Sequence, residues 1–140
     1  MDVLSPEQRS RNMRAIKASG TKIEVTLAHA LWSKGIRYRK NNKTVFGTPD
    51  LTINRKKIAV FVDSEYWHGK NWKREKFRVK TNRQFWWTKI ESNIRRDRIV
   101  NKTLRKSGWI VVRFWGSQIA KNLELCILEI ESELKKRRRW

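Results

Sequence analysis

Five consecutive apolar residues, Ile58-Ala59-Val60-Phe61-Val62, limit what this chain can fold into more than any other stretch. Both faces of such a strand are apolar, so it must be covered on each side. That requires a sheet with a layer of helices above and below it, and this strand at its centre. Leu51 to Ile53 reads as a second strand, joined to the first through Asn54-Arg55-Lys56-Lys57. Trp109 to Phe114 reads as a further buried strand, and Ile36 to Arg39 as a short one.

Helical signals surround these strands. Ser5-Pro6-Glu7 opens a first helix that carries Met13 and Ile16 and stops by Gly20. Thr21 caps a second, with Ile23, Leu27 and Leu31 at helical spacing and Gly35 at its end. A long helix is expected from Asn82 to Lys106, and a last one with an apolar stripe at Ile119, Leu123, Cys126, Ile127, Ile130 and Leu134. Residues 63–81 read as a long, basic, aromatic loop. The expected architecture is an α/β sandwich, a mixed central sheet flanked by helices. It forms a single domain over 1–140, with a basic N-terminal arm at 1–20 and a basic tail at 135–140.

Charge narrows the partner. The chain has 34 Lys and Arg against 13 Asp and Glu, a formal net charge of +21. Such a charge predicts strong, salt-sensitive attraction to a polyanion, above all nucleic acid. An anionic membrane surface is the weaker candidate, and no apolar run approaches a membrane span. The single Cys126 excludes an internal disulfide and a cysteine-rich zinc site, and with no signal peptide in view the expected compartment is a reducing cytoplasm.

Against that basic background, acids collect at one strand. If Ile53 pairs with Ile58, Asp50 lies opposite Phe61, and alternation puts Phe61, Asp63 and Glu65 on the face of Asp50. Two carboxylates one diagonal step apart, roughly 7 Å by backbone, can hold a Mg²⁺ between them. A divalent ion there would polarise a phosphodiester and activate water, and His68 just beyond the strand could act as general base or donate to a phosphate. The bland alternative is an acid cluster paired with Lys56, Lys57 and Lys70. Glu24, beside the stripe of the second helix, either points at the sheet edge or is an exposed helix acid. Asn93 and Asp97, four apart on the long helix, are either part of a buried network or, for Asp97, paired locally with Arg95, Arg96 and Arg98.

These residues, in this order, resemble the very short patch repair (Vsr) endonucleases, bacterial enzymes that nick DNA at T:G mismatches. The resemblance rests on Arg9-Ser10-Arg11-Asn12-Met13-Arg14-Ala15-Ile16, Thr21-Lys22-Ile23-Glu24, Gly47-Thr48-Pro49-Asp50, Val60 to His68, Phe85-Trp86, Lys89-Ile90, Asn93 to Arg98 and Gly108 to Trp115. It implies a variant of the PD-(D/E)XK restriction-endonuclease fold. Asp50 would be the central metal ligand, with Val62 lending its main-chain carbonyl; the chemistry of an acid at Asp63 adds a further ligand, and hairpin geometry keeps Glu65 as a secondary candidate although it falls at a structural position of the family. The catalytic set would be Asp50, Asp63, His68, Glu24 and Asp97, with His68 as base. Met13, Tyr66 and Trp67 match the apolar wedge that enters the duplex. Ile16, Arg14, Lys89, Asn93 and Arg96 complete the expected DNA contacts.

The chain departs from the best-known form of the family in two ways. Asp63 stands where that form has a second histidine. The positions that hold its structural zinc are here Glu65, Lys70, Trp72 and Ser117, a set unfit for zinc, so packing around Trp72 is expected to replace the metal. The implied activity is a Mg²⁺-dependent endonuclease, with Mn²⁺ as substitute and no zinc. It would nick duplex DNA beside a T:G mismatch in repair of deaminated 5-methylcytosine. Double-stranded DNA is the partner, with mismatch-repair proteins or a cytosine methyltransferase system behind it. Two alternatives stay open: a sequence- or structure-specific nuclease without mismatch preference, and a non-catalytic basic DNA-binding module.

Overall fold

The computed structural model describes residues 22–78 and 80–136. Met13, Arg14 and Ile16, the expected first helix, and residues 137–140 of the basic tail lie outside them.

The described chain runs α1 (Lys22–Ser33), β1 (Arg39–Lys40), β2 (Leu51–Ile53), β3 (Ile58–Asp63), α2 (Trp72–Glu75), α3 (Arg83–Lys106), β4 (Ile110–Trp115), α4 (Gly116–Lys121) and α5 (Leu123–Lys136). The strands form one sheet in the order β1-β2-β3-β4. The β1–β2 and β2–β3 pairs are antiparallel and the β3–β4 pair is parallel. The mixed sheet flanked by helices is therefore as expected. No described helix is long and apolar enough to cross a membrane.

The apolar run of β3 divides between two cores. Ile58 and Val60 join Leu51, Ile53, Val112 and Phe114 against Leu27 and Leu31 of α1, Ile119 of α4, and Ile127 and Ile130 of α5. Ala59 and Phe61 turn the other way, onto Val100 and Leu104 of α3. Alternation then carries the side chain of Asp63 to the α3 face. Arg113 of β4 is in register with Phe61 and shares that face. Along α3, Leu104 and Val100 of this core give way to Asp97 and Asn93, which line a cleft. The site begins where this smaller core runs out of apolar residues.

Two expectations are corrected. The strand expected from Ile36 shrinks to Arg39–Lys40, because the N–H groups of Gly35 and Ile36 close the end of α1 on the carbonyls of Trp32 and Leu31 (2.9 and 3.0 Å). The long loop after β3 is broken by α2 and a 3-10 turn at Lys76–Arg78. This segment is docked on α3: the Trp72 indole donates to Glu91 Oε2 at 2.9 Å, and the Trp87 indole donates to the Lys76 carbonyl at 2.7 Å.

Gly69, next to His68, seats this segment. Its φ is +68°, and a Cβ there would collide with the Ile94 side chain of α3. Gly35 also has a left-handed φ, +83°, but nothing lies within 4 Å of a Cβ built there. Gly69→Ala should therefore cost about 1–3 kcal/mol from the clash beyond the backbone strain that both sites share. Urea denaturation of Gly69→Ala and Gly35→Ala tests this, and equal losses would contradict it.

Candidate active site

The β2–β3 ladder pairs Ile53 with Ile58, Thr52 with Ala59 and Leu51 with Val60, the expected register. Asp50 stands one step past the last pair, after the Gly47-Thr48-Pro49 turn. Its Oδ2 accepts the Val62 N–H at 2.7 Å, which fixes its carboxylate against the end of β3. The positive φ of Gly47 (+83°) and Thr48 (+46°) brings this turn back to the sheet. A side chain at Gly47 would meet Val100 Cγ1 at 2.6 Å, so only glycine lets the turn lie on α3.

A cleft of about 520 Å³ opens between this turn, the end of β3 and α3. Glu24, Asp50, Val62, Asp63, His68 and Asp97 all line it, as do Trp67, Lys89, Asn93, Arg96 and Arg113. Glu24 thus faces the cleft.

The cleft has two unlike ends. At one, Asp63, His68, Asp97 and Arg113 interlock. Arg113 Nη1 donates to both oxygens of Asp63, at 3.0 and 3.1 Å. His68 Nδ1 lies 2.5 Å from Asp97 Oδ2 and 3.6 Å from Asp63 Oδ1. Asp97 Oδ1 is 3.6 Å from Arg113. Asp97 thus reaches across the cleft to His68 and Arg113, in place of the local pairing with Arg95, Arg96 or Arg98. With Nδ1 held by a carboxylate, a neutral His68 keeps its proton there and offers Nε2 as the base. Burial acts to lower the His68 pKa, but the Asp97 hydrogen bond and the Asp63 charge outweigh it, and the net direction is up. Asp63 is also raised, by burial first, with His68 and Arg113 pulling it back. Asp63, His68 and Asp97 each bring a ligand atom within 4.8 Å of the others, a group that could hold a metal ion.

At the other end, Asp50 faces acids. Its pKa is pushed from 3.8 up to about 7, by burial first, opposed by the Val62 N–H, raised again by Glu24 and Asp63, and drawn back by His68. A buried carboxyl so placed would be stabilised in its charged form by a cation, and hard oxygen donors are what a divalent ion requires.

The expected face for Glu65 is corrected. The strand ends at Asp63, so alternation stops before Glu65. Its Oε1 instead accepts the Ser117 N–H at 2.9 Å, at the start of α4, and Glu65 does not line the cleft. Trp67 is buried, 7% exposed, edge-to-face with Tyr66 and Trp86 at 5.7 and 5.8 Å. Lys89 Nζ sits 5.2 Å above the Trp67 ring, and Asn93 Nδ2 donates to the Trp67 carbonyl at 3.1 Å. The indole N–H groups of Trp67 and Trp86 are buried without an acceptor among the described residues.

The residue that sequence reasoning passes over is Arg113. Its signal is one charge inside Ile110-Val111-Val112-Arg113-Phe114-Trp115, an otherwise apolar strand beside one ending in Asp63.

The family described as DNA mismatch endonuclease Vsr matches residues 1–74. "Type II nicking enzyme V.HpaIIP" of Haemophilus parainfluenzae is 50% identical over 138 residues, 98% of each chain. "Type II nicking enzyme V.NmeDIP" of Neisseria meningitidis serogroup C is 47% identical over 135 residues, covering 96% of this chain and 91% of that one. "DNA mismatch endonuclease Vsr" of Escherichia coli (strain K12) is 34% identical over 115 residues, 81% of this chain and 72% of that one.

Asp50 and Glu65 should respond to substitution in opposite ways. A carboxyl raised from 3.8 to about 7 by folding contributes its full share of stability below pH 3.8 and loses it as pH rises through 7. Asp50→Asn keeps an oxygen for the Val62 N–H and removes the charge. In EDTA at pH 8 it should exceed the wild type by about 1–4 kcal/mol, and the gap should close near pH 4. Urea titration at both pH values checks this; a less stable variant at pH 8 contradicts it. Glu65→Ala should cost about 1 kcal/mol, as loss of a helix-end acceptor does, and leave Mn²⁺ affinity unchanged. Calorimetric titration showing weakened Mn²⁺ binding would return Glu65 to the metal site.

Proposed function

The chain belongs to the Vsr family and is a DNA endonuclease, a hydrolase; on that premise we propose that it nicks one strand of duplex DNA beside a T:G mismatch, with Mg²⁺. The observation that carries this reading is the division of the cleft: a buried carboxyl at Asp50, raised to about 7, on one side and a carboxylate-held imidazole at His68 on the other.

The donors suit a hard divalent ion, because Asp50 and Glu24 are carboxylates and Asp50 is raised by burial, which a bound cation would offset. Asp50 and Glu24, with the Val62 carbonyl on the same wall, would hold it. Asp63 is less suited, since Arg113 already takes both its oxygens. A bound Mg²⁺ supplies charge neutralisation of the phosphodiester and a more acidic water. The protein's own residues do the rest. His68 Nε2 takes the proton of the attacking water. Asp97, at Nδ1, holds the ring in place and stabilises the imidazolium that forms. The P–O bond to the leaving strand breaks as the new one forms, and the departing oxygen takes a proton from solvent while the imidazolium later returns its own. Lys89 and Arg96 at the cleft rim bind flanking phosphates.

Trp67, with Tyr66, is the described part of the proposed wedge. It must leave its cover to enter DNA, and its unpaired indole N–H makes that cover less costly to leave. A cytosine methyltransferase system makes the 5-methylcytosine whose deamination leaves T opposite G, so it is the system this activity would serve. The burial of Trp67 favours one second reading, a nicking enzyme that reads sequence or DNA structure with no mismatch preference.

One assay separates them. Matched, T:G-mismatched and branched duplexes are incubated with Mg²⁺ or EDTA, and each strand is followed. Cutting confined to one strand of the T:G duplex, and lost in EDTA, is expected. His68→Ala should lower kcat by about 10²–10⁴-fold with DNA binding kept. Equal cutting of matched and mismatched DNA would remove the mismatch reading, and binding without cutting in any metal would leave a DNA-binding module.

A further inference from the structure

Arg113 is held on three sides. Its guanidinium carbon lies 4.0 Å above the Phe61 ring. Its Nε donates to Asn101 Oδ1 of α3 at 2.7 Å. Its Nη1 donates to both oxygens of Asp63 and is 3.6 Å from Asp97 Oδ1. Asn101 and Asp97 are one helical turn apart on α3, so a single side chain from β4 ties α3 to the end of β3 at two levels.

We propose that Arg113 is the positioning residue of the nuclease site: it clamps Asp63 and Asp97 together, so that Asp97 holds His68 Nδ1 and the divalent ion is directed to Asp50. This rests on the function proposed above. Two carboxylates and an imidazole whose ligand atoms lie within 4.8 Å of each other form a place a metal could take. With the guanidinium there, Asp63 has a fixed cation already. Without it, the two carboxylates repel, and either swing apart or draw in the metal. In both cases Asp97 releases His68 from its single tautomer. Lysine cannot replace this clamp, because an ammonium is a point charge with no planar fork and no Nε for Asn101.

The test uses the full-length chain. Imidazole ¹⁵N NMR of metal-free, DNA-free protein reports which His68 nitrogen carries the proton. His29, the other histidine, is exposed on α1 and is told apart with His29→Gln. Nicking kinetics and DNA affinity are measured alongside. Wild type should show a neutral His68 protonated at Nδ1. In Arg113→Gln the tautomers should mix, and kcat should fall about 10–100-fold with KM and DNA affinity within about twofold. Arg113→Lys should behave like Arg113→Gln, and Mn²⁺ titration of either should reveal binding beyond that of wild type. If Arg113→Gln fails to fold, Asn101→Ala, which loosens only the Nε side, must shift the tautomer in the same direction. An unchanged His68 tautomer in whichever variant folds overturns the proposal, as does a KM that rises as much as kcat falls. Should wild type nick no DNA, the function falls while the tautomer result still judges Arg113.

Discussion

A carboxylate at the buried end of an apolar strand has to find a cation or lose its charge, and the cleft of this protein is arranged around how Asp63 does so. Asp63 takes Arg113 from the neighbouring strand. That pair requires β3 and β4 to be parallel and in register, which requires the α3 crossover between them. α3 then returns over the same face and brings Asp97 and Asn101 to the guanidinium. The topology of the sheet and the orientation of His68 are thus linked through one ion pair.

The same arrangement separates two carboxylates that lie close in the fold. Asp63 is neutralised from within the protein. Asp50 is not, and burial together with Glu24 and Asp63 leaves it with a pKa of about 7. The cleft therefore has one end where a guanidinium already pairs with Asp63 and one end, at Asp50, where a main-chain N–H holds the carboxylate instead. Asp97 and His68 stand on the Arg113 end, where the proposed proton transfer takes place.

Much of this is legible in the sequence, for a definite reason. The run Ile58 to Val62 can only be a doubly covered strand, and alternation along it is enough to assign the faces of Phe61 and Asp63. The β2–β3 register follows from the length of the turn at Asn54–Lys57. Alternation misplaces Glu65 because that residue lies past the last strand position, in a turn where the rule has no force. The polar neighbours of Trp67 suggest an open loop, whereas Trp86 and Lys89 of α3, distant in sequence, cover it. Arg113 escapes a sequence reading because its partner is 50 residues away. Pairing between parallel strands joined by a long helix leaves no local pattern. The four positions Glu65, Lys70, Trp72 and Ser117 also become intelligible only in three dimensions. Glu65 bonds to the Ser117 amide, Lys70 Nζ lies 5.7 Å from the Trp115 ring, and Trp72 bonds to Glu91, so ordinary contacts tie the loop to β4, α4 and α3.

The central claim, that the cleft has a metal end at Asp50 and a proton-transfer end at His68, is tested most directly by anomalous diffraction from crystals of the protein soaked in Mn²⁺. The account predicts an anomalous peak beside the Asp50 carboxylate, within coordination distance of Asp50 and apart from His68. A peak among Asp63, His68 and Asp97, with none at Asp50, would contradict it.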